Sequence, residues 1–425
     1  MRGRDYERDK GAGRYDWVNQ YKVKDLLGKV ISGEWGSDAL GENDVSVIRT
    51  TNFTNTGKIN LEKEVVKRNI AEQKVKTKKL RRGDIIIEKS GGSPEQPVGR
   101  VVYFDIDEKE GIYLCNNFTS ILRTNELVDS KFLFYYLFYQ YQRKTVLKFQ
   151  NKTTGIINLK LDNYLKDIDI SLPSLREQMK IVTVLEKAQA LIEKRKETIA
   201  KLDELIQVVF IDMFGDPIKN PRSYEVVQLE ELISFLTSGS RGWAKYFSKE
   251  GELFITIKNV KNGQLQLGDI TYVNAPVGKE AERTKVKEGD LLISITADLG
   301  RTAVISKDVA SRGAYINQHL SLIRLNQKCN PRYLSSYLES VGGKRQFESL
   351  NQTGVKSGLN FAAIKSLKIV LPPLEKQDRY DVFYRKYLLE KENMITSLAM
   401  LEKSFNALLQ RSFTEDIEIN TEVTA

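Results

Sequence analysis

LPSLREQMKIVTVLEKAQALIEKRKETIAKLDELIQVVFIDMFGDP, residues 172–217, decides the architecture of the chain. From Ser174 to Phe214 it holds neither glycine nor proline; Leu172-Pro173 precedes that run and Gly215-Asp216-Pro217 ends it. Ser174-Leu175-Arg176-Glu177 fits a capping box, the serine accepting from the third helical amide and the glutamate reaching back to the cap. Apolar residues recur at helical spacing through Ile181, Val184, Leu185, Ala188, Ile192, Ile199, Leu202, Leu205, Ile206 and Val209. Lys187, Lys194, Lys196, Glu197 and Lys201 take the opposite face. About 36 helical residues make a rod of roughly 54 Å. That is too long for the core of a small domain and reads as a coiled-coil arm.

A second rod follows Pro373, its stripe running through Phe383, Tyr384, Tyr387, Leu388, Ile395, Leu398, Leu401, Phe405, Leu408 and Leu409. Two such stripes are most simply buried against each other. The expected interface joins Val184, Leu185, Ala188, Ile192, Ile199, Leu202 and Leu205 to Tyr384, Leu388, Ile395, Leu398, Leu401 and Leu408. An antiparallel pairing places the globular parts at opposite ends; the alternative is that each rod packs on its own domain.

The second rod belongs to a repeat of the whole unit. Leu26, Ser32, Gly33 and Gly83-Asp84 recur 206 residues later as Leu232, Ser238, Gly239 and Gly289-Asp290. Gly99-Arg100, Asn116, Ser120, Arg123, Leu133 and Tyr136-Leu137 recur 201 residues later, ending at Tyr337-Leu338. Thr154-Gly155 and LPSLREQ (172–178) return as Thr353-Gly354 and LPPLEKQ (371–377), 199 residues on. Changes of offset belong in loops, where insertions are tolerated. Short apolar runs (DIIIE, RVVYF and SILR, then DLLISI and LSLIRL) read as strands. Asn262-Gly263 signals a hairpin, and the segments after Asp129 and Asn330 read as helices. The expected fold is a mixed α/β (α+β) pair of similar globular domains with a pseudo-twofold internal repeat, joined by two long antiparallel helices. Its parts are a polar extension (1–16), a first domain (17–172), a central helix (173–216), a second domain (217–371), a distal helix (372–414) and a tail (415–425).

Composition narrows the functions open to such a chain. The 425 residues carry 66 Lys+Arg against 56 Asp+Glu, a net charge of +10 that permits nucleic-acid binding without requiring it. Cys115 and Cys329 are the only cysteines and His319 the only histidine, which excludes a disulfide scaffold and argues against a Cys/His metal cluster. The longest apolar run, Phe132 to Tyr139, is eight residues, far below the ~18 of a membrane span. MRGRDYERDKGAGRYD lacks the apolar segment of a signal peptide.

Marks of catalysis are missing. The sequence has no phosphate-binding Gly-x-x-x-x-Gly-Lys-Ser/Thr loop, no Gly-x-Gly-x-x-Gly after a strand, and no Asn/Asp-Pro-Pro-aromatic motif of an amino-methyltransferase. Asp84 with Glu88-Lys89 has the spacing of a metal-dependent nuclease, but the repeat places Ser294-Ile295 at the second position. His319 has Phe118 as its counterpart, which points to packing or a contact surface rather than to acid–base chemistry. Cys115 pairs with Ile316 and reads as a small buried apolar residue.

Binding is better supported. KVKTKKLRR (74–82) puts six basic residues in nine, among them Lys78, Lys79, Arg81 and Arg82. It is either a track for DNA phosphates or a solvated basic strand edge. Base edges are read by polar side chains on short loops. The first domain offers Ser32 and Trp35, Ser90 and Ser93, Asn116-Asn117, and Lys152-Thr153-Thr154. The second offers Ser238, Ser240 and Arg241, Lys258-Asn259, Asn317-Gln318, and Lys356-Ser357. Each is equally an ordinary turn when taken singly. Framework positions repeat between the copies while many of these loop residues differ, as two readers of two different sequences require.

This layout resembles the specificity subunit of type I restriction–modification enzymes over almost the whole chain beyond residue 16. Residues 172–217 are similar to that family's central helical region, LPPLEKQ to the start of its distal one, and the repeated Gly-Asp segments to its target-recognition domains. Asp378-Arg379-Tyr380 stands where the first copy has Met179-Lys180-Ile181, a departure that bears on partner contacts there. The resemblance implies that each domain reads one half of a split site in double-stranded DNA. It implies that the helices act as a ruler, half-sites about one turn (~34 Å) apart lying on one face of the duplex. It further implies a cytoplasmic subunit with no catalysis and no cofactor of its own. Its partners would be two modification subunits, which carry S-adenosylmethionine and methylate adenine, and two ATP- and Mg-dependent translocase–nuclease subunits. The alternatives are a DNA-modifying enzyme with an unrecognised centre, which would act alone, and a coiled-coil assembly protein, which would bind no DNA.

Overall fold

The computed structural model describes residues 19–41, 44–93, 95–107, 109, 111–153, 155–351 and 358–414. The extension 1–16 and the tail 415–425 lie outside them. The chain divides into two compact units, one formed by residues up to Lys194 and from Leu398 onward, the other by Arg195–Ser397.

Both units are built on the same sheets. In the first, the strands Leu27–Ser32, Thr119–Thr124, Ile85–Glu88 and Val101–Tyr103 lie side by side in that order, all antiparallel. In the second, Ile233–Ser238, Leu320–Leu325, Leu291–Ser294 and Thr302–Val304 repeat the order. A second four-stranded sheet in each unit ends in a parallel pair, Val45–Ile48 beside Tyr113–Cys115 and Glu252–Ile255 beside Ala314–Ile316. A two-stranded ribbon ties the start of each domain to its end: Asn19–Lys22 with Asp169–Leu172, and Glu225–Gln228 with Lys368–Leu371. The apolar runs expected as strands therefore form the sheet cores. The hairpin at Asn262-Gly263 pairs Val260–Lys261 with Gln264–Leu265.

The repeated Gly-Asp has a physical explanation. Gly83 and Gly289 close tight turns at positive φ (98° and 80°), a region that suits glycine. The following aspartates point inward and are almost wholly buried. Asp84 takes two hydrogen bonds from Arg123, at 2.8 and 2.7 Å, and Asp290 takes the same two from Arg324. Each also accepts the amide that opens its turn, Arg81 N at 2.8 Å or Lys287 N at 2.7 Å. A buried carboxylate needs such pairing to offset its lost hydration. The arginine therefore recurs with the aspartate although they are about forty residues apart.

The helices after Asp129 and Asn330 are Ser130–Gln142 and Pro331–Glu339, each capped by the residue before it, whose side chain accepts two backbone amides. Phe132–Tyr139 is buried on all sides and forms the centre of the first core. The two long helices are Leu175–Phe214 and Leu374–Phe413, 40 residues each. Ser174 accepts the Glu177 amide at 3.4 Å, as a capping box requires, while the Glu177 carboxylate accepts from the Ser174 hydroxyl at 2.9 Å. The glutamines of LPSLREQ and LPPLEKQ are buried staples. Gln178 accepts Asp129 N and donates to Pro173 O; Gln377 accepts Asn330 N and donates to Pro372 O.

The long helices pack together, and within each unit they run antiparallel. In the first unit the early part of the central helix (Ile181, Val182, Leu185, Ile192) shares a core with the late part of the distal helix (Phe405, Leu409). In the second, Ile206, Phe210 and Phe214 share a core with Tyr380, Tyr384 and Tyr387. Leu185, Ile192 and Tyr384 are buried as expected; Ala188, Leu202, Leu388, Leu398, Leu401 and Leu408 are partly buried against these cores, and Ile199 is half-buried. Val184, Leu205 and Ile395 correct the expected interface, for they are 38, 47 and 50% exposed. The buried row advances by three or four residues through 181, 185, 188 and 192, and through 202, 206 and 210. Val184 and Leu205 each stand one residue, about 100° of helix, off that row. A polar contact also enters the seam: Asp203 accepts from Tyr387 at 2.7 Å and pairs with Lys391 at 2.6 Å.

Candidate nucleic-acid interface

In each unit one corner gathers several of the candidate residues. Gly33 and Gly239 lie so close to the neighbouring turn that a Cβ on either would sit 2.0 Å from the carbonyl oxygen of Asn116 or Asn317. Only glycine fits there. That approach joins the end of the first strand to the turn ahead of the strand Thr119–Thr124 or Leu320–Leu325. Two further backbone bonds fasten the corner: Lys89 N to Phe118 O at 2.8 Å, and Ile295 N to His319 O at 3.0 Å. The following segment joins through Leu159 N to Lys89 O and Leu359 N to Ile295 O, both 2.9 Å.

In the first unit this brings together Ser32, Trp35, Ser90, Asn116 and Asn117. Ser32 is exposed and accepts from the Lys89 ammonium at 2.5 Å. The Arg68 guanidinium lies 4.5 Å over the Trp35 ring. Ser90 donates to Asn158 at 2.7 Å, and Ser93 to Glu95 at 3.0 Å within its own turn. Asn117 is exposed, whereas Asn116 is buried, its Oδ1 without a partner among the described residues. Lys152 and Thr153 lie on the strand Gln150–Thr153; Thr154 is outside the described residues.

The basic run is neither an open track throughout nor a strand edge. Its first part is the helix Glu72–Lys78. Lys74 and Lys78 pair with Glu34 at 3.2 and 2.9 Å and hold its carboxyl below the usual range. Lys79 is half-buried, with its carbonyl accepting from Arg123. Arg81 and Arg82 are exposed and make no ion pair among the described residues, so they are the free cations of the run.

In the second unit the corner holds Ser238, Ser240, Arg241, Asn317 and Gln318. Arg283 donates to Thr237 Oγ1 and Ser238 O. Ser240 is buried and donates to Ile316 O at 3.2 Å, while Arg241 is exposed. Asn317 accepts His319 N at 3.2 Å. Lys258 is exposed, but Asn259 is buried in its turn, accepting Thr256 N and donating to Gln266 O. Asn52 does the same in the first unit through Arg49 N and Asn60 O, so Asn259 is framework. Lys356 and Ser357 lie outside the described residues.

Glu88 and His319 also have defined partners near this corner. Glu88 is buried and held by Arg100 through bonds of 3.0 and 3.1 Å, which occupies the carboxylate a nuclease would turn toward a metal. His319 is half-buried at the corner, its Nδ1 2.8 Å from Thr296 Oγ1. Burial pushes the Cys115 thiol up to about 11 and that of Cys329 to about 12, so neither supplies a thiolate. Among the described residues no group of three His, Cys, Asp or Glu side chains is placed to hold a metal, and no helix is long and apolar enough to cross a membrane.

Lys89, Phe118 and Arg283 were not among the candidate readers in the sequence, and the fold brings them to these corners. The repeat alignment held the signal for the first two, since it pairs Lys89 with Ile295 and Phe118 with His319.

Comparison with known proteins agrees with this construction. The family model described as the type I restriction modification DNA specificity domain matches residues 16–204 and again 221–382. Two relatives from Methanocaldococcus jannaschii are similar along most of their length. The type I restriction enzyme MjaIX specificity subunit is 27% identical over 431 residues, covering 95% of this chain and 94% of its own. The putative MjaX specificity subunit is 23% identical over 377 residues, covering 85 and 84%. Among solved structures, a chain from a study of assembly and conformational transition of the type I R-M system shares the fold with a TM-score of 0.60 at 18% identity. It covers 97% of this chain and all of its own. The type I restriction-modification S subunit from M. genitalium does so with 0.53 at 15%, covering 97 and 99%. With two matched copies spanning most of its length, the chain belongs to the type I restriction modification DNA specificity family.

Proposed function

We propose that this chain is the sequence-reading subunit of a type I restriction–modification complex, and that each unit reads one half of a split site in double-stranded DNA. The observation that carries the proposal is the twofold use of one frame. Asp84–Arg123 and Asp290–Arg324, Gly33 and Gly239, and Gln178 and Gln377 keep the same contacts in both units. The side chains at the two corners differ. A conserved frame under a changed surface suits recognition of two different base sequences, because base-edge contacts carry the sequence information. The exposed arginines Arg81, Arg82 and Arg241 suit phosphate contacts that fix register.

On this reading the chain is not itself an enzyme. S-adenosylmethionine, ATP and Mg belong to partner subunits: two methyltransferase subunits docked on the paired helices and two restriction–translocation subunits, all working in the cytoplasm. The helices set the gap between half-sites, 40 residues giving a rod of about 60 Å. A DNA-modifying enzyme with a hidden centre lacks support, since the buried carboxylates Asp84, Glu88 and Asp290 are each occupied by an arginine.

The test is an exchange. Residues 222–371 are replaced by the equivalent part of another family member, and the methylated motif is mapped in cells that also make the modification subunit. The expected result is a new sequence in one half of the motif, with the other half and the gap unchanged. A change in both halves contradicts the assignment of one half to each unit.

A further inference from the structure

Within the shared frame one pair of positions changes in a reciprocal way. Lys89 and Phe118 are joined by the backbone bond of 2.8 Å, and Ile295 and His319 by its counterpart of 3.0 Å. In the first unit the polar group follows the strand Ile85–Glu88, and the apolar ring sits at the tip of the turn, 44% exposed. In the second unit the aliphatic side chain follows the strand Leu291–Ser294, and the polar ring sits at the tip. A neighbouring hydroxyl steadies the polar member each time: Ser32 at 2.5 Å from the Lys89 ammonium, Thr296 at 2.8 Å from His319 Nδ1.

The framework does not require these side chains, since the fastening bonds are made by backbone atoms. Nor are the polar groups exhausted. Lys89 has three donors, one of them on Ser32, and makes no ion pair among the described residues. Partial burial holds its ammonium below the usual lysine range, and the charge of Lys78 adds to that. An acceptor-rich ligand at this corner would relieve both effects. The Nε2 of His319 faces Gln318 at 3.4 Å, a weak contact that leaves the nitrogen open to a stronger partner. A cation and an apolar ring on one backbone-fastened pair, or an imidazole and an aliphatic group on the other, match what the major groove displays. Guanine offers O6 and N7 as acceptors, and thymine offers a methyl group for apolar contact.

We propose that this locus, Lys89 with Phe118 in one unit and Ile295 with His319 in the other, determines base identity at one step of each half-site. The polar member bonds a purine acceptor on the major-groove edge, and the apolar member packs on an adjacent thymine methyl. The inference rests on the DNA-reading function proposed above and adds the residues that set its outcome.

The test exchanges the pairs. One variant carries Lys89→Ile with Phe118→His, the other Ile295→Lys with His319→Phe. Each is made in the full chain with its modification subunit, and methyladenine is mapped beside the wild type. The first is expected to change one or two adjacent positions in one half of the motif, the second in the other half, with the gap unchanged. Preference for the original base pair should fall by roughly tenfold or more. If an exchange fails to fold, the single substitutions Lys89→Met and His319→Gln take its place, with relaxed preference at the same position expected. A wild-type split motif that every variant retains unaltered, or that relaxes in both halves at once, overturns the locus while leaving the reading function standing. A wild type that yields no motif removes the reading function and the locus with it.

Discussion

Arg324→Met is expected to destabilise the second unit by about 3–5 kcal/mol, the usual cost of stranding a buried charge. Asp290 is fully buried, and Arg324 supplies two of its hydrogen bonds, at 2.8 and 2.7 Å; the third comes from Lys287 N. Without the guanidinium the buried carboxylate keeps only the backbone donor. In thermal unfolding the loss should appear as a drop of roughly 10 °C in the transition that includes this unit. Adding Asp290→Asn should recover part of it, because the neutral amide still accepts from Lys287 and no longer strands a charge. Arg123→Met should act alike in the first unit, where Asp84 has the same partners. A shift below 2 °C for either arginine would show that the pair is not what holds the turn against the sheet.

Gly239→Ala should be damaging in a different way. The new methyl would lie 2.0 Å from Asn317 O, 2.2 Å from Asn317 C and 2.3 Å from Ile316 O, all backbone atoms that have no rotamer to move to. Relief requires the strand Ile233–Ser238 and the turn bearing Gln318 and His319 to separate, at an expected cost of about 3 kcal/mol. Recognition should suffer more than stability, since the turn carries the proposed reading residues. In methylation mapping one half of the motif should lose definition while the other remains. Gly268→Ala is the matched control, with nothing within 4 Å of its added methyl, and should be silent in both assays. Equal effects from the two glycines would contradict the close-approach explanation.

Much of this was legible in the sequence because it depends on local or repeated patterns. A run of 41 residues without glycine or proline pointed to the central helix, and short apolar runs pointed to the strands. The repeat marked Gly83-Asp84, Arg123 and Gln178 as framework before any contact was visible. Other features depend on partners far away along the chain. Lys74 and Lys78 looked like free cations because Glu34, which pairs with both, is about forty residues upstream. Asn259 looked like a loop reader because its donors and acceptors are backbone groups with no sequence signature. Val184 and Leu205 have the right chemistry for the helix seam but the wrong angle, a difference of one position that composition does not record. The seam contact of Asp203 with Tyr387 and Lys391 was equally hidden, since an acid on a charged helix usually faces water.

On the proposed reading this chain chooses the DNA sequence on which its complex acts. The most direct measurement is methyladenine mapping of a host genome in two strains. Both make the modification subunit, and only one makes this chain. A split motif with a fixed gap, methylated in the first strain and absent from the second, is the predicted result. The same motif in both strains, or none in either despite a soluble complex, would mean that this chain does not choose the methylated site.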